Sequence, residues 1–458
     1  MLLGKVTGSL WSTRKDEKLN GWKFMKVDIL NQEDEKQGFL IAADNAGAGV
    51  GDKVLISQGN AARISAEDPN VPIDAMIVGV IDSTEEEQGG RDMSINEIIM
   101  YIMVLFMIIG GIDKCIGNKL GLGEQFEEGI MAMGSLALSM VGIITLAPVL
   151  ANLLSPIVVP VYELLGADPA MFATTLLAND MGGFALAQQL ANDPQAGLFA
   201  GAILGAMMGP TLVFTIPVAL GIIQKDDQQF LATGVLSGII TIPFGLLAGG
   251  LTAGMPLSLI IPNLIPIIIV AALIILGLWL APKGMIKGFQ IFGQGVVIVA
   301  IFGLVVGAIQ LLLGITVIPG IAPVTEGIEV VGGIALTLAG AFCLVAVITK
   351  VFNKPLMKLG KVLGMNEVAA AGMVATLANN IPMFQMLKDM DNRGKIINIA
   401  FAVSASFVLG DHLGFTAGVA KEMIFPMIVG KLVGGITAIF VAIFMANRML
   451  GKPETEVK

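Results

Sequence analysis

Apolar positions follow two different patterns along the chain, and the change falls near residue 92. Before that point the apolar residues form short runs separated by Gly, Asn, Asp and Pro, which is typical of strands and tight turns. From residue 93 onwards they form runs of about twenty residues, long enough as helices to cross a membrane. The pattern therefore predicts a small all-β barrel head followed by a polytopic all-α membrane domain.

The head contains five predicted strands. They cover residues 2–10, 22–30, 39–43, 53–57 and 76–81. A Gly-rich segment at 44–52 lies between two of them. It has no following helix and no Lys-Ser/Thr pair, so we interpret it as a tight turn and not as a phosphate-binding loop.

The membrane domain contains at least nine predicted spans. They cover residues 95–112, 130–153, 196–222, 230–252, 257–281, 289–313, 328–350, 395–413 and 419–446. Two further segments, 156–192 and 354–390, each contain an amphipathic stretch followed by a broken helical segment. Each broken segment either crosses the membrane or enters it and returns.

The two broken segments are related in sequence. Residues 177–184 read LANDMGGF, and residues 377–384 read LANNIPMF. Further matching blocks follow in the same order, which predicts an internal two-fold repeat, inverted if the broken segments are re-entrant. We therefore predict a head at 1–83 and a linker at 84–93, then repeats at 94–256 and 285–448, a connecting helix at 257–284 and a tail at 449–458.

Polar residues at the breaks form the candidate substrate site. Charged residues within a membrane are costly and usually face a cavity or the bundle interior, and carboxylates, amides and aromatic rings suit a small cation with a hydrogen-bonding group. The candidate substrate-binding residues are Asn179, Asp180, Phe184, Asn379, Asn380, Phe384, Asp411 and His412.

Structural roles for the same residues remain open at this stage. Asp180 could cap the helix after the break, and Asp411 and His412 could lie in a loop at a membrane surface. Asn179 and Asn379 could serve only to satisfy backbone groups that the broken helices expose.

Composition and charge extend this interpretation. The 458 residues are 55% hydrophobic and 14% charged, and the net charge of -9 owes most to the head. Neither domain has a catalytic constellation, a metal-ligand spacing or a nucleic-acid-binding pattern, so we expect no enzyme activity, cofactor, metal or nucleic acid.

The sequence gives two conflicting indications of orientation. No secretory signal precedes the head, which predicts a cytoplasmic head. In the inverted-repeat arrangement the basic residues between 350 and 395 and after 448 share one side, which the positive-inside rule makes cytoplasmic, and Met93 then lies outside. Met93 could also be the start of an independent membrane protein.

Particular motifs in the head resemble a known family. Gly4-Lys-Val-Thr-Gly8, Trp11-Ser-Thr13, the 44–52 loop, the segment from Gln58 to Arg63 and the segment from Val78 to Asp82 are similar to the EutN/CcmL proteins. The resemblance implies a β-barrel protomer that forms pentamers and closes the vertices of a microcompartment shell, with shell proteins as partners.

The membrane domain also resembles a known family. The segments 177–184 and 377–384, with GDHLGF at 410–415, are similar to the EutH ethanolamine permeases from about residue 93 to 448. The resemblance implies import of ethanolamine through a bacterial inner membrane. We expect uniport of the protonated amine, with proton coupling through Asp411 and His412 as a variant. The alternatives are a permease for another small amine and a membrane tether for a microcompartment shell.

Overall fold

The computed structural model describes residues 2–10, 16–19, 21–31, 36–66, 71–81 and 93–451. The chain divides into two compact units, Met1–Asp92 and Met93–Lys458. Most of the linker predicted at 84–93, most of the tail predicted at 449–458 and the motif Trp11-Ser-Thr13 lie outside the described residues.

The first unit is a closed five-stranded barrel. Its strands are β1 (Leu2–Leu10), β2 (Lys23–Leu30), β3 (Lys36–Asp44), β4 (Lys53–Gln58) and β5 (Ala75–Val80), with a short helix α1 (Asn60–Ser65) between the last two. The order around the barrel is β1-β2-β3-β5-β4, and only the β3–β5 pair is parallel. The five strands predicted from the sequence are confirmed.

Alternation of side chains explains the barrel core. Along β2 the side chains of Met25 and Val27 are buried, whereas Lys26 between them is exposed. The Gly-rich loop after β3 is a turn, as predicted. In it the Asp44 carboxylate accepts hydrogen bonds from the backbone N–H groups of Ala46 and Ala48.

The second unit is helical. Its helices are α2 (Ile95–Cys115), α3 (Gly123–Leu136), α4 (Gly142–Leu164), α5 (Ala170–Leu176), α6 (Gly183–Leu190), α7 (Pro194–Leu198), α8 (Met208–Pro210), α9 (Ile216–Ile222), α10 (Gln228–Ile239), α11 (Ile242–Thr252), α12 (Leu257–Leu280), α13 (Pro282–Leu313), α14 (Val324–Val362), α15 (Glu367–Ala378), α16 (Asn380–Met386), α17 (Asn392–Ala405), α18 (Asp411–Val419) and α19 (Ile424–Leu450). In the described part of the chain, eight helical stretches are long and apolar enough to cross a membrane, by length and composition.

One of the nine predicted spans, residues 395–413, is not a single continuous helix. There α17 ends at Ala405, and α18 begins only at Asp411. The residues between them are not helical, and Phe407 has a positive φ of 63°. The backbone N–H groups of Phe407 and Leu409 donate to the carbonyls of Thr376 and Leu377. The polar backbone groups exposed between α17 and α18 are thus satisfied by the residues at the end of α15, beside the break at 377–384.

One long helix belongs to the first half of the membrane unit. A π-helical turn, Ala137–Val141, joins α3 to α4, so that the helical stretch Gly123–Leu164 is 42 residues long. It lies antiparallel to α14, because Gly129 packs against Ala339 whereas Val141 packs against Gly327. The C-terminal ends of α4 and α14 therefore lie at opposite ends of the helical unit.

Two groups of contacts mark these opposite ends. At one end, which we call the Arg393 end, Arg393 donates to the Leu363 carbonyl and to Asn447 near the end of α19. At the other end, the Asn96 end, Asn96 contacts the backbone of Glu422 and Phe425 before and at the start of α19. The start of α2 and the basic end of α19 are thus at opposite ends.

Candidate functional site

The first broken segment is a hairpin that enters the helical unit and returns. Helices α5 and α6 form its two arms, and we call residues 166–192 the first hairpin. Its two ends are joined because the Asp168 carboxylate accepts hydrogen bonds from the backbone N–H groups of Asn192 and Asp193. A segment whose ends meet in this way does not cross the unit.

The tip of the first hairpin is extended. Leu177 and Ala178 have extended backbone, and a single 3₁₀ turn, Asn179–Met181, precedes Gly182. Gly182 has φ 82°, a left-handed conformation that glycine adopts without steric cost. Helix α6 has no side-chain cap. Asp180 is therefore not the helix cap that was one alternative, and its carboxylate is free for another role.

The second broken segment has the same arrangement. Helices α15 and α16 form its arms, and we call residues 364–391 the second hairpin. Asn366 ties its ends by donating to the Asp391 carboxylate and to the Asp389 carbonyl. The first hairpin follows the C-terminal end of α4, and the second follows the C-terminal end of α14. Because these two helix ends lie at opposite ends of the helical unit, the two hairpins enter it from opposite ends.

A glycine packs against each hairpin tip. Gly209 lies against the backbone carbonyl of Leu177, and Gly410 lies against that of Ala378, so a side chain at either glycine would collide with the tip. These two glycines are equivalent in the predicted repeat. The repeat itself stays a prediction, although these contacts agree with it.

Three of the predicted site residues meet in one cavity. Asp180 from the first hairpin, with Asp411 and His412 from the first turn of α18, lines a cavity of about 310 Å³, which we call the acid cavity. His412 is only 2% exposed, which excludes the alternative that it lies in a surface loop. The remaining lining is Ser135, Leu136, Ser139, Ala178, Met181, Pro210, Phe214, Val297 and Phe407.

Aromatic rings surround the His412 side of the acid cavity. The centroid of Phe407 lies 5.2 Å from that of His412 and 5.7 Å from that of Phe214. The sequence analysis did not include Phe407 or Phe214. The positive φ of Phe407 is uncommon for a bulky residue, and such strain clusters at functional sites.

A second cavity also borders the first hairpin tip. It has a volume of about 410 Å³, and we call it the amide cavity because Asn179, Gln188 and Gln189 line it. The Asn179 side-chain oxygen accepts from the Asp180 N–H, while its Nδ2 is buried without a hydrogen-bond partner among the described residues. Asn179 and Asp180 are neighbours in the chain but line different cavities.

An aromatic pair lines the amide cavity. The rings of Phe184 and Phe415 are 5.8 Å apart and meet edge to face. Phe415 lies one helical turn after Asp411 on α18. The predicted site residue Phe184 therefore contacts α18, the helix that also carries Asp411.

The other three predicted residues lie elsewhere. Among the described residues, Asn379, Asn380 and Phe384 line neither the acid cavity nor the amide cavity. The Asn379 carboxamide oxygen caps α16 by accepting from the Ile381 N–H, which is the structural role considered for it. Asn380 donates to Thr215 Oγ1, and Phe384 is buried in the helical core.

Two buried lysines were missed by the sequence analysis. Lys395 forms a buried ion pair with Asp227, with 2.6 Å between Nζ and Oδ1. Lys431, about two turns after the start of α19, donates to the Ala206 carbonyl and contacts Nδ1 of His412 at 2.9 Å. A charged residue inside an apolar helix was the available signal for Lys431.

The described residues contain no group of three or more His, Cys, Asp or Glu side chains that could hold a metal ion. Cys115 and Cys343 are both free. The side chains that line the two cavities are of types suited to a small cation: carboxylates can attract an ammonium group, aromatic faces can lie against it, and amides can bind a hydroxyl group.

Comparisons with known proteins match each unit separately. A family model described as "Ethanolamine utilisation protein, EutH" matches residues 95–445, and one described as "Ethanolamine utilisation protein EutN/carboxysome" matches residues 1–82. The "Probable ethanolamine permease EutH" of Listeria monocytogenes is 79% identical over 370 residues, which are 80% of this chain and 99% of the relative.

Two further proteins are similar to the first unit. The "Carboxysome shell vertex protein CcmL" of Thermosynechococcus vestitus is 36% identical over 88 residues, which are 19% of this chain and 89% of the relative. Among solved structures, the "GrpN pentameric microcompartment shell protein from Rhodospirillum rubrum" has 37% identity and a TM-score of 0.17, and the match covers 19% of this chain and 99% of that one.

Proposed function

We propose that this chain, which belongs to the EutH family and carries an EutN/CcmL domain at its N-terminus, transports protonated ethanolamine into a bacterial cell by uniport. It is a multi-pass membrane protein, and relatives from Listeria monocytogenes and Escherichia coli are each named "Probable ethanolamine permease EutH". Beyond that, the mechanism and the substrate-binding residues are our proposal. We expect no enzyme activity.

The acid cavity is the observation that carries the proposal. It brings together Asp180 and Asp411, which come from the two halves of the sequence, beside broken helices. A primary ammonium loses its hydration on entering such a site, and a carboxylate compensates for this loss. Phe407 and Phe214 add aromatic faces that attract a cation.

The two cavities suggest a route. The amide cavity and the acid cavity both border the first hairpin tip, and Phe184 and Phe415 line the amide cavity. In our proposal this ring pair is the barrier between the cavities, and movement of the hairpin against α18 opens it. The predicted inverted repeats, 94–256 and 285–448, would supply the two arrangements that alternating access requires.

Energetics favour uniport of the charged form. A primary amine is protonated at neutral pH. With the interior negative, the entry of one positive charge gains about 2.3 kcal/mol per 100 mV. Accumulation therefore requires no coupling ion, and the ethanolamine gradient follows the membrane potential.

Uptake into proteoliposomes tests the proposal. The full chain is reconstituted, and uptake of labelled ethanolamine is measured with and without an inside-negative potassium diffusion potential. We expect saturable uptake that the potential increases. If an imposed pH gradient alone drives uptake, the proton-coupled variant through Asp411 and His412 replaces uniport. If unlabelled choline competes better than ethanolamine, the substrate is another amine.

The first unit supports a second role, in a microcompartment shell. Its family model and its similarity to a shell vertex protein suggest that the head forms pentamers and contacts shell proteins. In that case the membrane unit tethers a shell to the membrane. The role predicts that shells sediment with membranes from cells that make the intact chain, but not from cells that make the chain without residues 1–83.

A further inference from the structure

Most of the amide cavity is lined by single faces of helices. Helix α6 contributes positions i, i+1, i+4 and i+5, which share one helix face, and the stretch Gly123–Leu164, α14 and α18 contribute residues about one turn apart in the same way. These residues are Phe184, Ala185, Gln188 and Gln189; Met140, Ile144, Ala147 and Pro148; Glu326 and Val330; and Phe415, Gly418 and Val419. The volume of about 410 Å³ lies within the range of about 300–1,000 Å³ typical of small-molecule sites.

Two carboxamides in this lining have hydrogen-bond donors without a partner. Asn179 is buried, and its Oδ1 accepts from the Asp180 N–H, which fixes the orientation of the carboxamide and leaves Nδ2 unpaired among the described residues. The Nε2 atom of Gln188 is likewise buried and unpaired there. An unpaired buried donor is unfavourable, so both side chains are suited to a solute that accepts hydrogen bonds.

The charge of the lining indicates the sign of that solute. Among the described residues that line the amide cavity, the charged side chain is that of Glu326, and no Lys, Arg or His accompanies it. Glu326 is exposed, so its carboxylate is accessible to a solute that arrives from water. A cavity with this lining favours a cation over an anion.

The polar groups also have an order along the helical unit. Helix α14 has its C-terminal end at the Arg393 end, so Glu326, in its first turn, lies towards the Asn96 end. The first hairpin enters from that same end, because it follows the C-terminal end of α4. Gln188 lies near the end of its second arm, whereas Asn179 lies at its tip. Asn179 is therefore the deepest of the three.

We propose that the amide cavity is a second amine-binding site, separate from the acid cavity, which recognises a primary ammonium ion that carries a hydroxyl group. Glu326 attracts the ammonium group, and the carboxamides of Asn179 and Gln188 donate hydrogen bonds to the hydroxyl oxygen. This inference rests on the proposed function in that it takes ethanolamine as the solute. It adds Gln188 and Glu326, which the sequence analysis did not include, to the binding residues.

Ethanolamine and propylamine are a matched pair of probes for this site. A methyl group in propylamine replaces the hydroxyl group of ethanolamine, and both amines carry one positive charge at neutral pH. They therefore differ in hydrogen bonding much more than in size or charge. A site that pairs its donors with a hydroxyl group rejects the analogue without it, because the donors then stay unpaired.

The test places a reporter cysteine in the amide cavity of the purified full chain. Ala185→Cys is combined with Cys115→Ser, because Cys115 is exposed whereas the other native cysteine, Cys343, is buried. The rate of reaction with a small thiol reagent is measured at increasing amine concentration. Ethanolamine should halve this rate at a concentration at least about tenfold lower than propylamine does. Val330→Cys gives the same readout from α14.

The variant Gln188→Met keeps the size of the side chain but removes its donors. It should lower the preference for ethanolamine over propylamine at least about threefold, since Asn179 alone then donates. The matched control is Gln195→Met, because Gln195 is exposed and lies outside the cavity lining. This control should keep the wild-type preference.

The variant Glu326→Gln separates attraction of the ammonium group from recognition of the hydroxyl group. It should weaken protection by both amines about two- to fivefold and leave the preference between them unchanged, because Glu326 is exposed and its charge is screened. Glu329→Gln, at an exposed glutamate outside the lining, is the control and should have no effect.

A variant of the acid cavity tests whether the two sites are separate. Asp411→Asn should weaken uptake of ethanolamine but leave the protection of the reporter cysteine within about twofold of that in the parent chain, because Asp411 does not line the amide cavity. Loss of protection in folded Asp411→Asn would show that the amide cavity has no site of its own.

The outcomes distinguish this inference from the proposed function. Absence of saturable ethanolamine uptake by the folded wild-type chain overturns the proposed function, whereas protection of the reporter cysteine is measured without transport. Equal protection by the two amines, or an unchanged preference in folded Gln188→Met, overturns the hydroxyl-recognising site. If neither reporter cysteine reacts, competition of the two amines with uptake of labelled ethanolamine replaces labelling, and an unchanged preference in Gln188→Met again overturns the inference.

Discussion

Asp180 and Asp411 line the same cavity, although one lies at the tip of the first hairpin and the other in the first turn of α18. The cavity therefore depends on how the two halves of the membrane unit pack. Both residues lie at helix breaks: Asp180 is within the break at Leu177–Gly182, and Asp411 directly follows the break after Ala405. Four predictions follow from this arrangement and from the charges around it.

The Asp180 carboxylate should be essential for uptake. In Asp180→Asn the bound ammonium loses a compensating charge in a buried site, where breaking such a pair costs about 3–5 kcal/mol. We expect the apparent affinity for ethanolamine to fall by about 100-fold or more. Uptake kinetics in proteoliposomes provide the measurement.

The matched control for this variant is Asp226→Asn, because Asp226 is exposed. It should leave uptake unchanged, and both variants should elute from a size-exclusion column as the wild-type chain does. Wild-type kinetics in Asp180→Asn would remove Asp180 from the site.

Phe407 should contribute to amine binding through its ring. Phe407→Leu keeps a large apolar side chain but removes the aromatic face, which contributes about 0.5–2 kcal/mol to cation binding. We expect an increase of about 2- to 30-fold in the ethanolamine concentration that gives half-maximal uptake.

Phe384→Leu is the comparison for Phe407→Leu. Phe384 is equally an apolar aromatic residue, but it is buried in the helical core away from both cavities. Its substitution should lower thermal stability and leave the half-maximal concentration unchanged. Equal changes in the two variants would contradict the assignment of Phe407 to the site.

The buried pair of Lys395 and Asp227 should be important for stability. Asp227→Asn leaves the buried Lys395 ammonium without its carboxylate partner, while the Phe230 ring still lies 5.5 Å from Nζ. We expect a loss of about 3–5 kcal/mol in the free energy of unfolding. Thermal unfolding in detergent measures the change.

A double variant tests the origin of this effect. Replacing Asp227 by Leu and Lys395 by Met together removes both charges, so the loss should be smaller than in Asp227→Asn alone. Lys421→Met, at an exposed lysine, should have no effect. A double variant that is less stable than the single one would show that the ion pair does not explain the loss.

The Arg393 end of the helical unit should face the cytoplasm. Arg393, Lys395 and Arg448 lie at or near this end, and Lys/Arg-rich ends of spans stay inside. Because the start of α2 is at the opposite end, residue 94 should face outwards. This expectation conflicts with the cytoplasmic head predicted from the absence of a secretory signal.

Reporter fusions to the full chain decide between these two expectations. After residue 451, a reporter that works only in the cytoplasm should be active, and a reporter that works only outside the cytoplasm should be inactive. A cysteine at position 94, in place of Ser94, should react with a membrane-impermeant reagent in intact cells. Protection of that cysteine until the cells are opened would favour a cytoplasmic head and contradict the charge argument.

The sequence alone determined the division into two units, the five strands and the helix breaks at 177–184 and 377–384, but not the break between Ala405 and Asp411. These features depend on local patterns: alternation of apolar residues in strands, long apolar runs, and Gly, Pro or paired Asn and Asp residues within them. The same patterns led to Asn179, Asp180, Phe184, Asp411 and His412, which line one or other of the two cavities.

Only the tertiary structure decided which polar residues face a cavity and which pair with each other. Asn379 and Asn380 match Asn179 and Asp180 in sequence, yet one caps α16 and the other binds Thr215. The sequence analysis did not predict the pairing of Lys395 with Asp227 or the burial of Lys431. The physical reason is that sequence periodicity shows the cost of burying a polar group, whereas the group that offsets this cost comes from a distant part of the chain.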